Sequence, residues 1–509
     1  MPTHEELAAW FDEREERFVA IAHDIWARPE LPLSEHYACA RQADDLAVDG
    51  FTITRNVGDL PTAFMAEWGS HAPIIGFLGE YDALPNLSQQ AEPGQSAIVP
   101  GGPGHGCGHN LLGTAALAAA SALKAWLQET GRPGTVRYYG CPAEEIGAGK
   151  VFMARAGAFD DLDLAITWHP GEKNTVWMGS SLAIDHIKFR FHGKAAHAAA
   201  APEHGRSALD AAELTNIGVN FMREHIIEQA RIHHVITNGG GAPNVVPDDA
   251  EVWYYVRAPR RDQVQELTDR VRKVAQGAAL MTETTVEERD VHGLHNYLPN
   301  MALGGVARAA LEELGAIDFT EGERAFAHTL ALGYPETTRA ASLAALEIPA
   351  SHRGQPLLAD FLPPTDIGKT MSGSTAVAEV SWLAPTVQIT TTCWAPGVPG
   401  HSWGITASGG MSIGHKGMLH AARAMALTAT MLHDDPAMIA SRSAASLIRP
   451  RSPLARCRRC RAPDREVSLG YAVFAAVGIS PTAACFSSRL YNHPVPGSPS
   501  ALLALHYRS

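Results

Sequence analysis

Short apolar runs of strand length alternate with amphipathic or alanine-rich stretches over the first 180 residues, and again near the end of the chain. Residues 73–79, 135–141, 162–168 and 385–391 are short, largely uncharged runs with apolar centres that read as strands. Residues 111–128 and 418–431 are rich in alanine and leucine and predict helices, and residues 4–28 predict one amphipathic helix ended by Arg28-Pro29. Strands alternating with helices predict an α/β fold, a mostly parallel sheet covered by helices. The middle of the chain has a different rhythm. Residues 184–191 alternate like a half-buried strand, 207–224 read as a helix, 231–237 and 250–257 as strands, and 261–280 as a charged amphipathic helix. That order predicts a smaller, ferredoxin-like α+β domain inserted at about 186–293, so that residues 1–185 and 294–436 form the two parts of the main domain.

Composition narrows the classes. At 509 residues the chain exceeds what one core usually holds. A net charge of −13 argues against nucleic acid or an anionic membrane surface as partner. No apolar run reaches the roughly 18 residues of a membrane helix, and the acidic N-terminal stretch is unlike a secretory signal, so a cytoplasmic location is expected. Seven scattered cysteines do not make a disulfide framework, and Cys39 and Cys141 read as small buried hydrophobes. Residues 437–509 hold ten arginines, two acidic residues and no lysine, and lack helical or strand periodicity. They read as a disordered or frameshifted tail, in which Cys457 and Cys460 form a lone CxxC pair.

The chemistry concentrates after the predicted strands. Asp82 follows the first, the pair Glu144-Glu145 the second, His169 the third and His401 the fourth, where open α/β sheets bind ligands. His105-Gly-Cys107-Gly-His109-Asn110 precedes the long alanine-rich helix, and residues two apart in an extended loop point the same way. Cys107, His109, Glu145, His169 and His401 supply five donors, enough for two closely spaced divalent ions, with thiolate and imidazole suiting zinc and carboxylate compatible with manganese. Amide hydrolysis needs a polarised carbonyl, an activated water and a proton for the departing amine. Metal ions serve the first two needs and a carboxylate the third. Of two adjacent glutamates leaving a strand, one can bind metal while the other stays free. His105, His204, His292 and His295 are expected in surface or capping roles.

GEYDALP, GHGCGHN, PAEE, TWHP, HGKAAHAA, PNVVP and PGHSWG occur in this order, and the chain resembles the M20 metallopeptidase family from about residue 5 to 435. The resemblance is strongest to the amidohydrolases related to the B-type polypeptide of p-aminobenzoyl-glutamate hydrolase. It implies a two-metal centre, manganese or zinc, on Cys107, His109, Glu145, His169 and His401, with Glu144 as general base and acid. It implies that Asp82 orients a metal ligand, that the inserted domain is a lid and dimerisation domain, and that His197 reaches across a homodimer to the partner's site. Asn244 would contact the polar end of the substrate, an N-acyl amino acid, and Arg257 is a further candidate for its carboxylate. A related A-type chain is a possible second subunit. SGSTAVAEVSW departs from the subgroup's pattern by placing Ala376 where an aspartate is usual. Two other classes compete: a cysteine hydrolase with Cys107 as nucleophile, which leaves the glutamate pair without a task, and a non-catalytic or partner-dependent subunit.

Overall fold

The computed structural model describes residues 4–434; the arginine-rich tail and its CxxC pair lie outside the described residues. Within that span eleven strands form two sheets. They are β1 (Thr52–Arg55), β2 (Phe64–Gly69), β3 (Ile74–Glu80), β4 (Thr135–Cys141), β5 (Leu164–Gly171), β6 (Thr175–Trp177), β7 (Ala183–His192), β8 (Arg231–Asn238), β9 (Asp249–Ala258), β10 (Thr285–Leu294) and β11 (Thr386–Thr392).

The larger sheet has the order β1-β2-β4-β3-β5-β11-β6. Its centre, β4-β3-β5-β11, is parallel, and β1, β2 and β6 join antiparallel at the edges. The four apolar runs are these central strands, and β3 is buried along nearly its whole length, as a strand covered on both faces must be. One face packs against the helices Glu15–Trp26, His109–Thr130, Met301–Leu314 and Ser412–His433, and the other against Gly149–Arg155 and Val377–Ser381.

The helix His109–Thr130 is buried all round from His109 to Leu123, and its small side chains let it lie close on β3. At Gly113 a β-carbon would meet the Glu80 carbonyl oxygen and Gln42 Nε2, each at 2.5 Å. Gly113→Ala is therefore expected to cost about 1–3 kcal/mol in denaturant unfolding. Because the same helix begins at His109, the variant should also bind divalent metal more weakly.

The smaller sheet is antiparallel, in the order β10-β7-β9-β8. Burial alternates strictly along β9: Ala250, Val252, Tyr254, Val256 and Ala258 face the helices Ala208–Met222 and Arg261–Met281. On the opposite face the His186 and His292 rings stack at 4.3 Å, and His292 Nε2 lies 3.1 Å from the Ile146 carbonyl. That carbonyl belongs to the residue after the glutamate pair, so this sheet rests against the loop that carries it.

Some expectations are corrected. Residues 4–28 form two helices, His4–Asp12 and Glu15–Trp26, because the Arg14 guanidinium takes the Trp10 carbonyl while the Arg14 amide turns to Phe11. His105, though buried, caps the Ile25 carbonyl in the last turn of Glu15–Trp26, whereas His295 is neither superficial nor a cap and pairs with buried Glu379 at 2.8 Å. His204 is exposed and His292 caps a carbonyl, as expected. Strand β10, hidden in the charged TVEERDVHGL, escapes the periodicity reading; it is a sheet edge with many exposed positions. Cys39 and Cys141 are buried free thiols in the cores.

Candidate metal centre

The parallel strands deliver their side chains to one end of the sheet. Asp82 lies two residues beyond β3, Glu144 and Glu145 three and four beyond β4, His169 near the end of β5, and His401 on the loop after β11. Cys107 and His109 come from the glycine-rich loop and the first residue of the helix it opens. Gly108 between them has φ +77°, and a β-carbon there would also collide with Pro170. Ala143 (φ 55°) and His401 (φ 51°) take the left-handed conformation without being glycine, so backbone strain gathers at this site.

The donor atoms of Cys107, His109 and His169 lie within 4.8 Å of one another, and so do those of Cys107, Glu145 and His401. The two triads share the thiol. Cys107 Sγ is 3.4 Å from His169 Nε2, His109 Nε2 is 4.0 Å from Glu145 Oε1, and His401 Nε2 is 3.5 Å from Glu145 Oε2.

Both buried imidazoles have their tautomers set from behind. His109 Nδ1 bonds Asp82 Oδ1 at 2.9 Å, and His169 Nδ1 bonds the Pro170 carbonyl at 2.7 Å. Each ring then presents Nε2 toward the common centre. Asp82 uses its second oxygen to accept the Glu145 amide at 2.9 Å, tying the helix start to the glutamate loop. Burial alone would raise the Asp82 carboxyl, but the His109 charge and these hydrogen bonds hold it below its ordinary value.

Desolvation and neighbouring carboxylates push Glu144 to about 7 and Glu145 to about 8, while burial and Glu145 raise the Cys107 thiol. A thiol held up in this way is the reverse of what a cysteine nucleophile needs. His109 Nε2 and Glu145 Oε1 are buried without hydrogen-bond partners. Soft and borderline donors converging around orphaned atoms fit divalent cations.

Glu144 belongs to neither of these two triads but lies within 4.8 Å of donor atoms of Glu80 and His109; its Oε1 accepts the Ala376 amide at 3.1 Å. The hydrogen bond uses backbone only, so the departure at Ala376 leaves it intact. His197 and Asn244 lie elsewhere, exposed on adjacent segments of the smaller domain, where His197 bridges Val245 and the Ala198 amide donates to the Asn244 carbonyl. Within one chain neither contacts the donor triads among the described residues. Arg257, on β9, touches Ser374 Oγ at 3.3 Å and, among the described residues, pairs with no carboxylate.

Sequence reading missed Glu80 and Lys150, a buried ion pair at the floor of the site. It also missed Glu35, whose carboxylate takes the amides of Leu33 and Ala143 and the Thr62 hydroxyl beneath the glutamate loop. A glutamate two residues before Asp82 and a lone lysine in an apolar run were the available signals.

Residues 76–337 match peptidase family M20/M25/M40. The B-type polypeptide of p-aminobenzoyl-glutamate hydrolase from Escherichia coli (strain K12) is 46% identical over 435 residues, 83% of this chain and 90% of that relative. The Xaa-Arg dipeptidase of Mus musculus is 37% identical over 57% of this chain and 67% of its own length. Among solved structures, a dinuclear metal-binding peptidase of family M20 from Bacillus subtilis shares the fold with a TM-score of 0.53 and 19% identity, over 83% of this chain and 99% of that one. With half of its length inside the family's conserved region and a 46%-identical hydrolase matched nearly end to end, the chain belongs to peptidase family M20/M25/M40.

Proposed function

We propose that this M20 amidohydrolase cleaves the amide of an N-acyl or N-aroyl amino acid, of the p-aminobenzoyl-glutamate type, to a carboxylate and a free amino acid. The observation that supports the reading is the pair of donor triads sharing Cys107, with Glu144 outside both and its Oε1 held by the Ala376 amide. Cys107, His109 and His169 would hold one divalent ion, and Cys107, Glu145 and His401 the other, manganese or zinc. Such ions, when bound, polarise a carbonyl and acidify water. Glu144 then takes a proton from the attacking water and hands it to the departing nitrogen. Its Oε1, held by the Ala376 amide, keeps the carboxylate in place for both transfers. Asp82 keeps His109 in the required tautomer.

The smaller domain, about 186–293, serves as lid. Arg257, beside Ser374 and, among the described residues, without a carboxylate partner, binds the carboxylate of the amino-acid half. Replacing it with alanine should raise KM by about 10- to 100-fold with little change in kcat, as expected for one lost charge-assisted contact. His197 acts across a homodimer and helps stabilise the oxyanion, with Asn244 beside it contacting the substrate's polar end. The exposed apolar side chains of Ile217, Phe221, Val235 and Ile236 on this domain support pairing with a second copy there. His197→Ala should lower turnover while leaving metal content unchanged. Mixing it with a Glu144→Gln chain should restore part of the activity in mixed dimers; failure to complement would place His197 in its own chain's site.

None of the described helices is long and apolar enough to cross a membrane, which is compatible with the proposed cytoplasmic location. The test of the main reading is release of glutamate from p-aminobenzoyl-glutamate by the purified chain with manganese. The 46%-identical relative from Escherichia coli carries the name of one subunit of its enzyme, which favours a second reading in which an A-type chain is required. Turnover by the single chain would exclude that requirement.

A further inference from the structure

Glu80 ends β3 two residues before Asp82, so the two side chains leave the extended chain on the same side. Asp82 supports His109 from behind through Nδ1, whereas Glu80 meets the same ring from the front, with Oε2 3.4 Å from Nε2. The two atoms are close, yet Nε2 has no aligned hydrogen-bond partner. Closeness without alignment is how two donors sit when both aim at a third point. The donor atoms of Glu80, His109 and Glu144 also fall within 4.8 Å of one another.

The other oxygen of Glu80, Oε1, is bound by the ammonium of Lys150. Glu80 is 2% exposed and Lys150 fully buried, so neither has water as an alternative partner. A buried ion pair adds little net stability compared with apolar side chains of the same size. Here it does something else: it pins one carboxylate oxygen and leaves the other facing His109. Lys150 lies in the first turn of the helix Gly149–Arg155, five residues after Glu145, so one loop delivers both a metal donor and the cation that orients Glu80.

We propose that Glu80 is a further metal donor, its Oε2 sharing with His109 the ion that this imidazole holds, with Lys150 as its positioning residue. The proposal rests on the two-ion reading above. It makes the two ions unequal. One is enclosed by a thiolate, two imidazoles and a pinned carboxylate, while the other has Cys107, Glu145 and His401, whose side chain is 58% exposed. The first ion is therefore the tighter.

Metal-stripped full-length chain is titrated with Co2+, following visible absorption and heat, for wild type, Glu80→Gln and the double variant Glu80→Gln/Lys150→Met. The double variant removes both charges together, so that neither stays buried alone. Wild type is expected to take two equivalents in two steps of unequal affinity. In both variants the tighter step should weaken by about 10- to 100-fold. Its d–d absorption should intensify as a ligand is lost, with the weaker step unchanged. Two equivalents bound with both steps and the spectrum unaltered in the double variant would overturn the proposal and leave the two-ion reading standing. Uptake of no cobalt by wild type would remove the two-ion reading, and this proposal with it.

Discussion

Glu144→Gln should lower kcat by about 10²- to 10⁴-fold while the purified protein keeps its full metal content. The amide preserves size and can still accept the Ala376 backbone hydrogen at Oε1, so the loop stays in place. What it cannot do is take a proton from water and return it to the leaving nitrogen. KM should change little, because Glu144 acts on the transition state and not on the bound substrate. The measurement is steady-state kinetics paired with metal analysis of the same sample. Loss of metal from this variant would mean that Glu144, and not Glu145, is the ligand.

Removing divalent ions should abolish turnover and also loosen the fold. Burial raises Glu144, Glu145 and Cys107, so the stripped site keeps protons on groups that would ionise around a cation, and buried donor atoms of His109 and Glu145 stay without a partner. A ligand present at about a thousand times its dissociation constant stabilises a protein by about 4 kcal/mol. Chelation followed by calorimetry should therefore lower Tm by several degrees, and adding manganese or zinc should restore both Tm and activity. Activity that survives complete chelation, but is lost to a thiol reagent, would return Cys107 to the role of nucleophile.

The frame of the site was legible because its signals were local. The runs that became β3, β4, β5 and β11 are apolar enough at their centres to announce strands, and the candidate donors follow them at once. Cys107 and His109 declared themselves by residue type in a glycine-rich loop. What escaped was whatever depends on a partner far along the chain. Glu80 looks like any acidic strand end until Lys150, seventy residues later, is seen against it. His295 reads as a surface or capping histidine until Glu379 closes over it. Strand β10 is masked by its own charges, since an edge strand needs little apolar content. The contact between Ala376 and Glu144 was equally hidden, because sequence displays side chains and this contact is made by the backbone.

X-ray absorption on the zinc-loaded chain tests the central claim most directly. A sulfur scatterer at about 2.3 Å and a metal–metal vector of about 3.5–4 Å, at two zinc ions per chain, are the expected result for triads that share Cys107. A shell of nitrogen and oxygen alone, or one zinc per chain, would contradict it.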